Sequence, residues 1–196
     1  MITIHRRKPQ YSEVTEKNNY GQYKDDLSSD FYRSCGYCDS PDFVWGGKSG
    51  FQIDHFAPKS KFPELANDYK NLVYSCPICN RGKSNYWPSK ESSVSVKGNK
   101  GFVHPCTDEY EEHLGRDSNG EIISKTELGK YIHQTMKFGL SRHQIIWLRE
   151  ELNLLIIEVK AYIDKSSKLK ERYIELLEGY KAYDEILRQI IDDRSS

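Results

Sequence analysis

The sequence predicts an α+β protein in which a small zinc-stabilised strand–strand–helix core precedes a long helical region. Two observations carry this. Two Cys-x-x-Cys knuckles, Cys35/Cys38 and Cys76/Cys79, flank short apolar runs, and four thiolates presented in pairs from tight turns complete one tetrahedral zinc site. From Ile145 to Ile190, apolar residues recur at spacings of three and four, the period of a helix that buries one face.

The core runs from Phe51 to Lys83. Phe51-Gln52-Ile53-Asp54-His55-Phe56 alternates as a strand does. A loop with Pro58 and Pro63 follows, then the apolar run Asn71-Leu72-Val73-Tyr74-Ser75-Cys76. Finally the knuckle Cys76-Pro77-Ile78-Cys79 opens a short helix. Such a hairpin is too small to hold itself together, and structural zinc contributes on the order of 10 kcal/mol that is released only on folding. Two disulfides, or four small core residues, are the alternatives. Knuckles flanking strand-like runs favour zinc, as do thiols kept reduced in the cytoplasm.

Once the cysteines are assigned, Asp54, His55, Asn71 and Asn80 remain as polar residues that the framework draws together and that folding does not need. Adjacent strand residues point to opposite faces. Asp54 and His55 therefore share a site only where the strand ends or bulges, and Pro58 is consistent with an ending.

Here the sequence resembles the HNH endonucleases, a ββα-metal family, through Asp54-His55, Asn71-Leu72 and Cys76-Pro77-Ile78-Cys79-Asn80-Arg81-Gly82-Lys83. The last histidine of the family pattern is replaced by Asn80, as in a branch of the family where an amide oxygen ligates the metal. The resemblance implies metal-dependent hydrolysis of DNA phosphodiesters. His55 would be the general base, Asp54 and Asn80 would hold one Mg²⁺ or Mn²⁺ through oxygen, and Asn71 would brace the loop and orient the imidazole. A neutral imidazole near pH 7 suits the base, and a hard divalent ion suits charge on the scissile phosphate. Lys83, about one helical turn beyond Asn80, is positioned in sequence to meet a phosphate, as is the helix N-terminus. Arg81 and Lys59 are further candidates for nucleic-acid contact.

Composition sets a condition on this reading. Lys plus Arg equals Asp plus Glu at 29 each, so a nucleic-acid enzyme of this composition concentrates positive charge locally or borrows affinity from a partner. Arg6, Arg7 and Lys8 at the start and Lys59 and Lys61 in the loop are local candidates. No apolar run reaches membrane-spanning length, and Met1 to Arg7 lack a signal-peptide core. Both point to a cytoplasmic protein.

In chain order, Tyr11, Tyr20, Tyr23, Leu27, Phe31 and Tyr32 precede the first knuckle, with a short helix expected from Asp25 to Arg33. These aromatics either stack on bases or, as we favour, pack around the zinc site. Phe43-Val44-Trp45 and the glycines at 46, 47 and 50 read as a return leg into the Phe51 strand. Residues 86–100 read as a disorder-prone loop with one short strand. His104, Cys106 and His113 lie close in sequence but lack knuckle geometry, so a structural role is favoured over a second metal site. Asn119-Gly120 followed by Glu121-Ile122-Ile123 is a plausible hairpin, and Met136 to Arg149 is expected to be helical.

With these flanks, and with the first knuckle written Cys35-Gly36-Tyr37-Cys38-Asp39, the pattern over about residues 1–150 looks like the HNH subunits of bacterial anti-phage systems of the Septu and retron type. Such subunits stand beside an ABC-type ATPase. The resemblance implies an effector acting with an ATPase partner.

The organisation expected is a nuclease domain over 1–125 and a helical region over 126–196. In the latter, the heptad phase from Ile145 to Ile190 is interrupted only at Ser166. Constant phase favours one helix of about 70 Å at roughly 1.5 Å per residue, while the polar Lys165-Ser166-Ser167-Lys168 favours a hairpin, and both remain open on sequence alone. Extra apolar residues such as Ile146, Trp147, Ile156, Ile157, Ile174, Leu177 and Ile186 widen the stripe. Before Ser166 packing on the protein's own domain is favoured, and beyond it the tyrosine-rich seam and mixed charge suit partner docking or self-association. Two rival functions share these residues: a non-catalytic zinc-ribbon adaptor for nucleic acid or a partner, and a ribonuclease or tRNA nuclease.

Overall fold

The computed structural model describes residues 2–192 and divides into two compact units. The first comprises the chain up to Ser118 together with Ile122–Gly139. The second comprises Asn119–Glu121 and the chain from Leu140 onward. The boundary between units thus falls after Gly139, and the helix that follows the 1–125 segment lies in the first unit.

The first unit is built on the expected strand–strand–helix. Strand β1 (Gln52–His55) pairs antiparallel with β2 (Leu72–Ser75), setting Asp54 opposite Val73 and His55 opposite Leu72. Helix α2 (Pro77–Lys83) follows at once, with Pro77 in its first turn and Cys76 as N-cap, where the missing proline N–H costs nothing. Around this hairpin stands a real hydrophobic core of Tyr23, Leu27, Phe31, Phe51, Leu72, Val73, Tyr74, Phe102 and Tyr110. Apart from Tyr20 and the exposed Tyr32, the aromatics before the first knuckle mostly pack here, as favoured: Tyr11 meets Phe31 and Tyr69 edge-on.

Several local expectations are corrected. Helix α1 is Lys24–Asp30, shorter than expected because Tyr32 and Arg33 take positive φ (51° and 58°) to turn the chain into the knuckle. The return leg into β1, expected as one hairpin-like turn, is built from two 3₁₀ turns, Asp42–Trp45 and Gly47–Ser49. Gly46 and Gly47 have φ of 86° and 71°, and a Cβ at Gly50 would lie 1.6 Å from the Trp45 carbonyl oxygen, so this turn is closed around glycine. Residues 86–100 are held rather than loose. Trp87 is buried edge-on against Phe56 and Phe62, and β3 (Val96–Lys97) pairs with β4 (Lys100–Gly101).

Helix α3 (Glu109–His113) leads into β5 (Leu114–Arg116), which pairs with β6 (Ile122–Ser124) across the Asn119-Gly120 turn. Helix α4 (Glu127–Thr135) is capped by Thr126 and packs on α2 so closely that a Cβ at Gly82 would lie 3.0 Å from the Thr135 carbonyl oxygen. The continuous helix expected from Met136 does not form: Lys137 takes a φ of 58°, and the next helix starts at Ser141.

The second unit is an antiparallel helical hairpin, which settles the alternative left open by the heptad phase. Helix α5 (Ser141–Lys160) and helix α6 (Ser167–Asp192) are joined by a 3₁₀ turn at Ile163–Lys165. Arg149 pairs with Asp184 at 3.3 Å and lies over the Tyr180 ring, so the helices run in opposite directions. Ser166 is extended (φ −163°, ψ 155°), and its hydroxyl accepts from the Leu169 N–H at 3.2 Å. The residue that broke the heptad is a helix N-cap. Ile146, Trp147, Ile156, Leu176 and Leu187 are buried, whereas Leu154, Leu155, Ile157, Ile174, Leu177 and Ile186 are exposed. No helix among the described residues is long and apolar enough to cross a membrane.

Candidate metal centre and active site

The four knuckle cysteines converge. The sulfurs of Cys35, Cys38, Cys76 and Cys79 all lie within 4.8 Å of one another and all four residues are buried. Cys38 Sγ and Cys76 Sγ are 3.9 Å apart, far beyond a disulfide bond and close to the edge of about 3.8 Å that a ZnS₄ tetrahedron with bonds of about 2.3 Å requires. All five cysteines are free thiols. The donor set fits Zn²⁺ and excludes the disulfide alternative in this structure.

The first knuckle is held by its carbonyls. His5 Nε2 donates to the Gly36 oxygen at 2.6 Å, the Tyr110 hydroxyl donates to the Tyr37 oxygen at 2.7 Å, and the buried Arg116 donates to the Cys38 oxygen at 2.8 Å. A peptide turn that presents sulfur to a metal must leave its carbonyls exposed to something. Here three separate elements supply the donors. Cys106 is not part of the cluster, and His104 and His113 bond elsewhere: His104 Nε2 to the Tyr11 hydroxyl at 3.2 Å and His113 Nδ1 to Thr126 at 2.6 Å. No second metal site forms from them among the described residues.

Beside the zinc cluster lies a cleft of about 300 Å³ lined by Ile53, Asp54, His55, Pro58, Lys59, Ser60, Asn80, Ser84 and Asn85. Asp54, His55 and Asn80 therefore share one site. This is possible because β1 ends at His55, which releases the backbone from strict alternation.

His55 Nε2 donates to the Ala66 carbonyl at 3.0 Å, leaving Nδ1 as the acceptor nitrogen. Tyr20 stacks edge-on against the ring, centroids 4.7 Å apart. Burial favours the neutral imidazole, the nearby charges of Lys59 and Lys83 push the same way, and together they hold the His55 pKa below its ordinary value against the opposing pull of the Ala66 carbonyl.

Asp54 is 5 % exposed. Its Oδ2 accepts from the Tyr37 hydroxyl at 2.5 Å and pairs with Lys83 Nζ at 3.1 Å, so its other oxygen is the one left for a ligand. Burial raises its pKa, opposed by Lys83 and Tyr37. The Asn80 amide nitrogen donates to Gln52 Oε1, which leaves its oxygen as the available donor atom.

Asn71 makes no side-chain hydrogen bond to His55. Its side chain accepts from the Ala57 N–H at 2.8 Å and donates to the Ala57 and Leu65 carbonyls, each at 3.1 Å. It ties both ends of the loop whose Ala66 carbonyl holds the imidazole. Replacing Asn71 with alanine strands three backbone groups, two of them buried and one part-buried, and a destabilisation of about 2–4 kcal/mol is expected in urea unfolding of the zinc-loaded protein.

The cationic residues separate. Lys83 is fully buried (0 % exposed) and bonds the His55 carbonyl at 2.8 Å as well as Asp54, so the expected phosphate contact by Lys83 is corrected: its charge is spent inside the protein. The α2 N-terminus is likewise turned toward the cysteines, with Cys76 Sγ accepting from the Cys79 N–H, rather than toward a phosphate. Lys59 lines the cleft and bonds the Tyr20 hydroxyl at 2.8 Å. Arg81 is exposed and donates to the Pro77 carbonyl, outside the cleft lining.

Sequence reasoning missed Tyr37, Gln52, Ser60, Ser84 and Asn85, and it placed Tyr20 around the zinc site where the structure sets it against His55. Tyr37 and Gln52 sit between residues that were read, but nothing in residue type or spacing marks them.

Residues 35–86 match the family model of the HNH endonucleases. This segment is an HNH endonuclease domain. It spans the first knuckle, the β1–β2 hairpin and α2, so the match contains every cleft residue named above. The chain is also 26% identical over 135 residues to the Septu protein PtuA of Bacillus mycoides, covering 64% of this chain and 17% of that protein. It is 23% identical over 135 residues to the Septu protein PtuB of Bacillus thuringiensis, covering 63% of this chain and 48% of that protein. The chain thus spans less than half the length of either curated relative. No solved structure matches it.

Proposed function

We propose that the protein is a divalent-metal-dependent endonuclease that hydrolyses DNA phosphodiester bonds as an effector of anti-phage defence. One observation carries the reading: an imidazole with its Nε2 committed to the Ala66 carbonyl lines the same cleft as one carboxylate and one carboxamide, each with an oxygen to spare. His55 Nδ1 accepts the proton of the attacking water. Asp54 and Asn80 hold one Mg²⁺ or Mn²⁺, which when bound neutralises charge on the scissile phosphate and the departing 3′ oxygen. Asn71 keeps the loop carbonyl at 66 in place and so fixes the imidazole at one remove. Lys59 is the cationic side chain suited to meet a phosphate at the cleft. The products are a 5′ phosphate and a 3′ hydroxyl.

The likeness to Septu proteins supports the defence role. An ABC-type ATPase partner accounts for two features. The chain carries no net charge with which to find DNA, and the second unit exposes Leu154, Leu155, Ile157, Ile174 and Leu177 on its helices, surface suited to partner docking or self-association.

The test is incubation of supercoiled plasmid, single-stranded DNA and tRNA with the zinc-loaded protein and Mg²⁺ or Mn²⁺, alone and with an ATPase encoded beside it. DNA cleavage is expected. Cleavage of tRNA alone reassigns the site to a ribonuclease, and binding without cleavage of any substrate, partner included, makes the protein an adaptor.

The reading also predicts a pH profile. The base works in its neutral form, and the His55 pKa lies below its ordinary value of about 6.5. The acid limb of kcat/KM against pH is therefore expected to have its midpoint below 6.5, with activity retained where an exposed histidine would already be protonated.

A further inference from the structure

Each zinc knuckle sends one side chain to the same oxygen of Asp54. Tyr37, inside the first knuckle, donates its hydroxyl to Oδ2 at 2.5 Å. Lys83, one turn of helix beyond the second knuckle, sets Nζ 3.1 Å from that atom and 2.8 Å from the His55 carbonyl. Both are effectively sealed from solvent, Tyr37 at 1 % and Lys83 at 0 % exposure. The Lys83 ammonium also lies over two aromatic rings, 6.0 Å from the centroid of Phe56 and 5.8 Å from that of Phe102.

A fully buried lysine is costly unless its charge is paired and hydrogen-bonded, and a buried tyrosine hydroxyl needs a partner. Both requirements are met at one carboxylate oxygen. The consequence falls on the other oxygen: with Oδ2 held from two sides, the carboxylate plane cannot turn, and Oδ1 is the atom left for the cleft.

We infer that Tyr37 and Lys83 are positioning residues that clamp Asp54 Oδ2, so that the two zinc knuckles set the geometry of the divalent-cation site. This rests on the reading of Asp54 as a cation ligand. The knuckles supply the clamp because Tyr37 is flanked by two zinc ligands and its carbonyl is fixed by Tyr110 at 2.7 Å. Lys83 ends a helix whose first turn carries Cys79. Neither residue reaches a phosphate, so their effect passes through Asp54. The same Lys83 bond to the His55 carbonyl pins the backbone where β1 ends, so the carboxylate and the imidazole are located by one side chain.

The experiment is calorimetric titration of Mn²⁺ into the zinc-loaded full chain, comparing the parent with Tyr37→Phe, Lys83→Met, Asp54→Ala and the double variants on the Asp54→Ala background. Losing a partner that orients a metal ligand typically weakens metal affinity about 10–100-fold. That loss is expected for Tyr37→Phe and for Lys83→Met, and it is expected to vanish when Asp54 is already alanine. Tyr37→Phe removes only an oxygen, and so carries the test even if Lys83→Met does not fold.

If both variants bind Mn²⁺ as tightly as the parent while Asp54→Ala does not, the clamp is overturned and the cation site stands. If Asp54→Ala binds as tightly as the parent, the assigned cation site and the clamp fall together. A role confined to folding would lower the thermal midpoint and leave Mn²⁺ affinity unchanged, which also overturns the inference.

Discussion

Replacing His55 with alanine is expected to lower plasmid cleavage by about 10²–10⁴-fold, the range that loss of a general base produces, while zinc content and Mn²⁺ affinity stay at the parent values. The separation follows from the geometry. The imidazole is tied to Ala66 and touches Tyr20, but it supplies no bond to Asp54, Asn80 or any cysteine. Its loss therefore removes an acceptor for the water proton and leaves the ligands of both metals in place. Equal cleavage by parent and variant would remove His55 as the base. Loss of Mn²⁺ affinity with the cleavage would show instead that the side chain supports the cation site. Because Nε2 is committed to a carbonyl that Asn71 helps to fix, His55→Gln is not expected to restore activity: an amide has no nitrogen that can accept a proton.

The second large effect is on folding. Cysteine-to-serine substitution at Cys79, or removal of zinc by a strong chelator, is expected to unfold the first unit, because a structural zinc site contributes about 10–16 kcal/mol of apparent binding free energy, comparable to or greater than the total stability of an ordinary domain. Metal analysis should find about one zinc per chain in the parent and loss of it in Cys79→Ser, with a collapse of the thermal transition in the variant. Cys106→Ser is the control, since Cys106 lies outside the four-sulfur cluster, and it should keep its zinc. Retention of the fold by metal-free protein would mean that the aromatic core around Tyr23, Phe31, Phe51 and Tyr74 holds the unit without the knuckles. Such a result would also separate the zinc from the Asp54 clamp, because Tyr37 would then keep its position unaided.

The elements most legible in the sequence were those imposed by local chemistry. Ligand spacing made the knuckles readable, because two residues between cysteines is what a turn around one ion demands. An alternating run, a second apolar run and a knuckle opening a helix gave away β1, β2 and α2, and Asp54-His55 with Asn80 pointed to a single cleft once the strand was seen to end there. The glycine-rich stretch before β1 was legible as a turn into the strand but not as which turn, because glycine content alone does not separate a hairpin turn from consecutive 3₁₀ turns. The choice lies in the positive φ of Gly46 and Gly47 and the carbonyl that crowds Gly50. Trp87 likewise holds a segment whose polar composition suggested disorder, through contacts with Phe56 and Phe62 that lie far from it in sequence.

By itself the sequence determined the metal-binding character of the protein, the strand–strand–helix at its centre, and three of the polar residues that line the cleft, Asp54, His55 and Asn80, since each depends on residue type at short spacing. Only the tertiary structure decided what the charges are for. Lys83 sits at the right helical distance to meet a phosphate, yet it points into the core and pairs with Asp54, and Tyr37, indistinguishable in sequence from any spacer in a knuckle, holds the same carboxylate. The constant heptad phase favoured one long helix, yet an antiparallel hairpin carries the same period, and a hairpin is what forms. The Ser166 hydroxyl caps α6, and Arg149 meets Asp184 across the turn. The physical reason is common to these cases: periodicity and ligand spacing are properties of a few consecutive residues, whereas the partner of a buried charge and the direction of a packed helix are set by groups that meet only when the chain has folded.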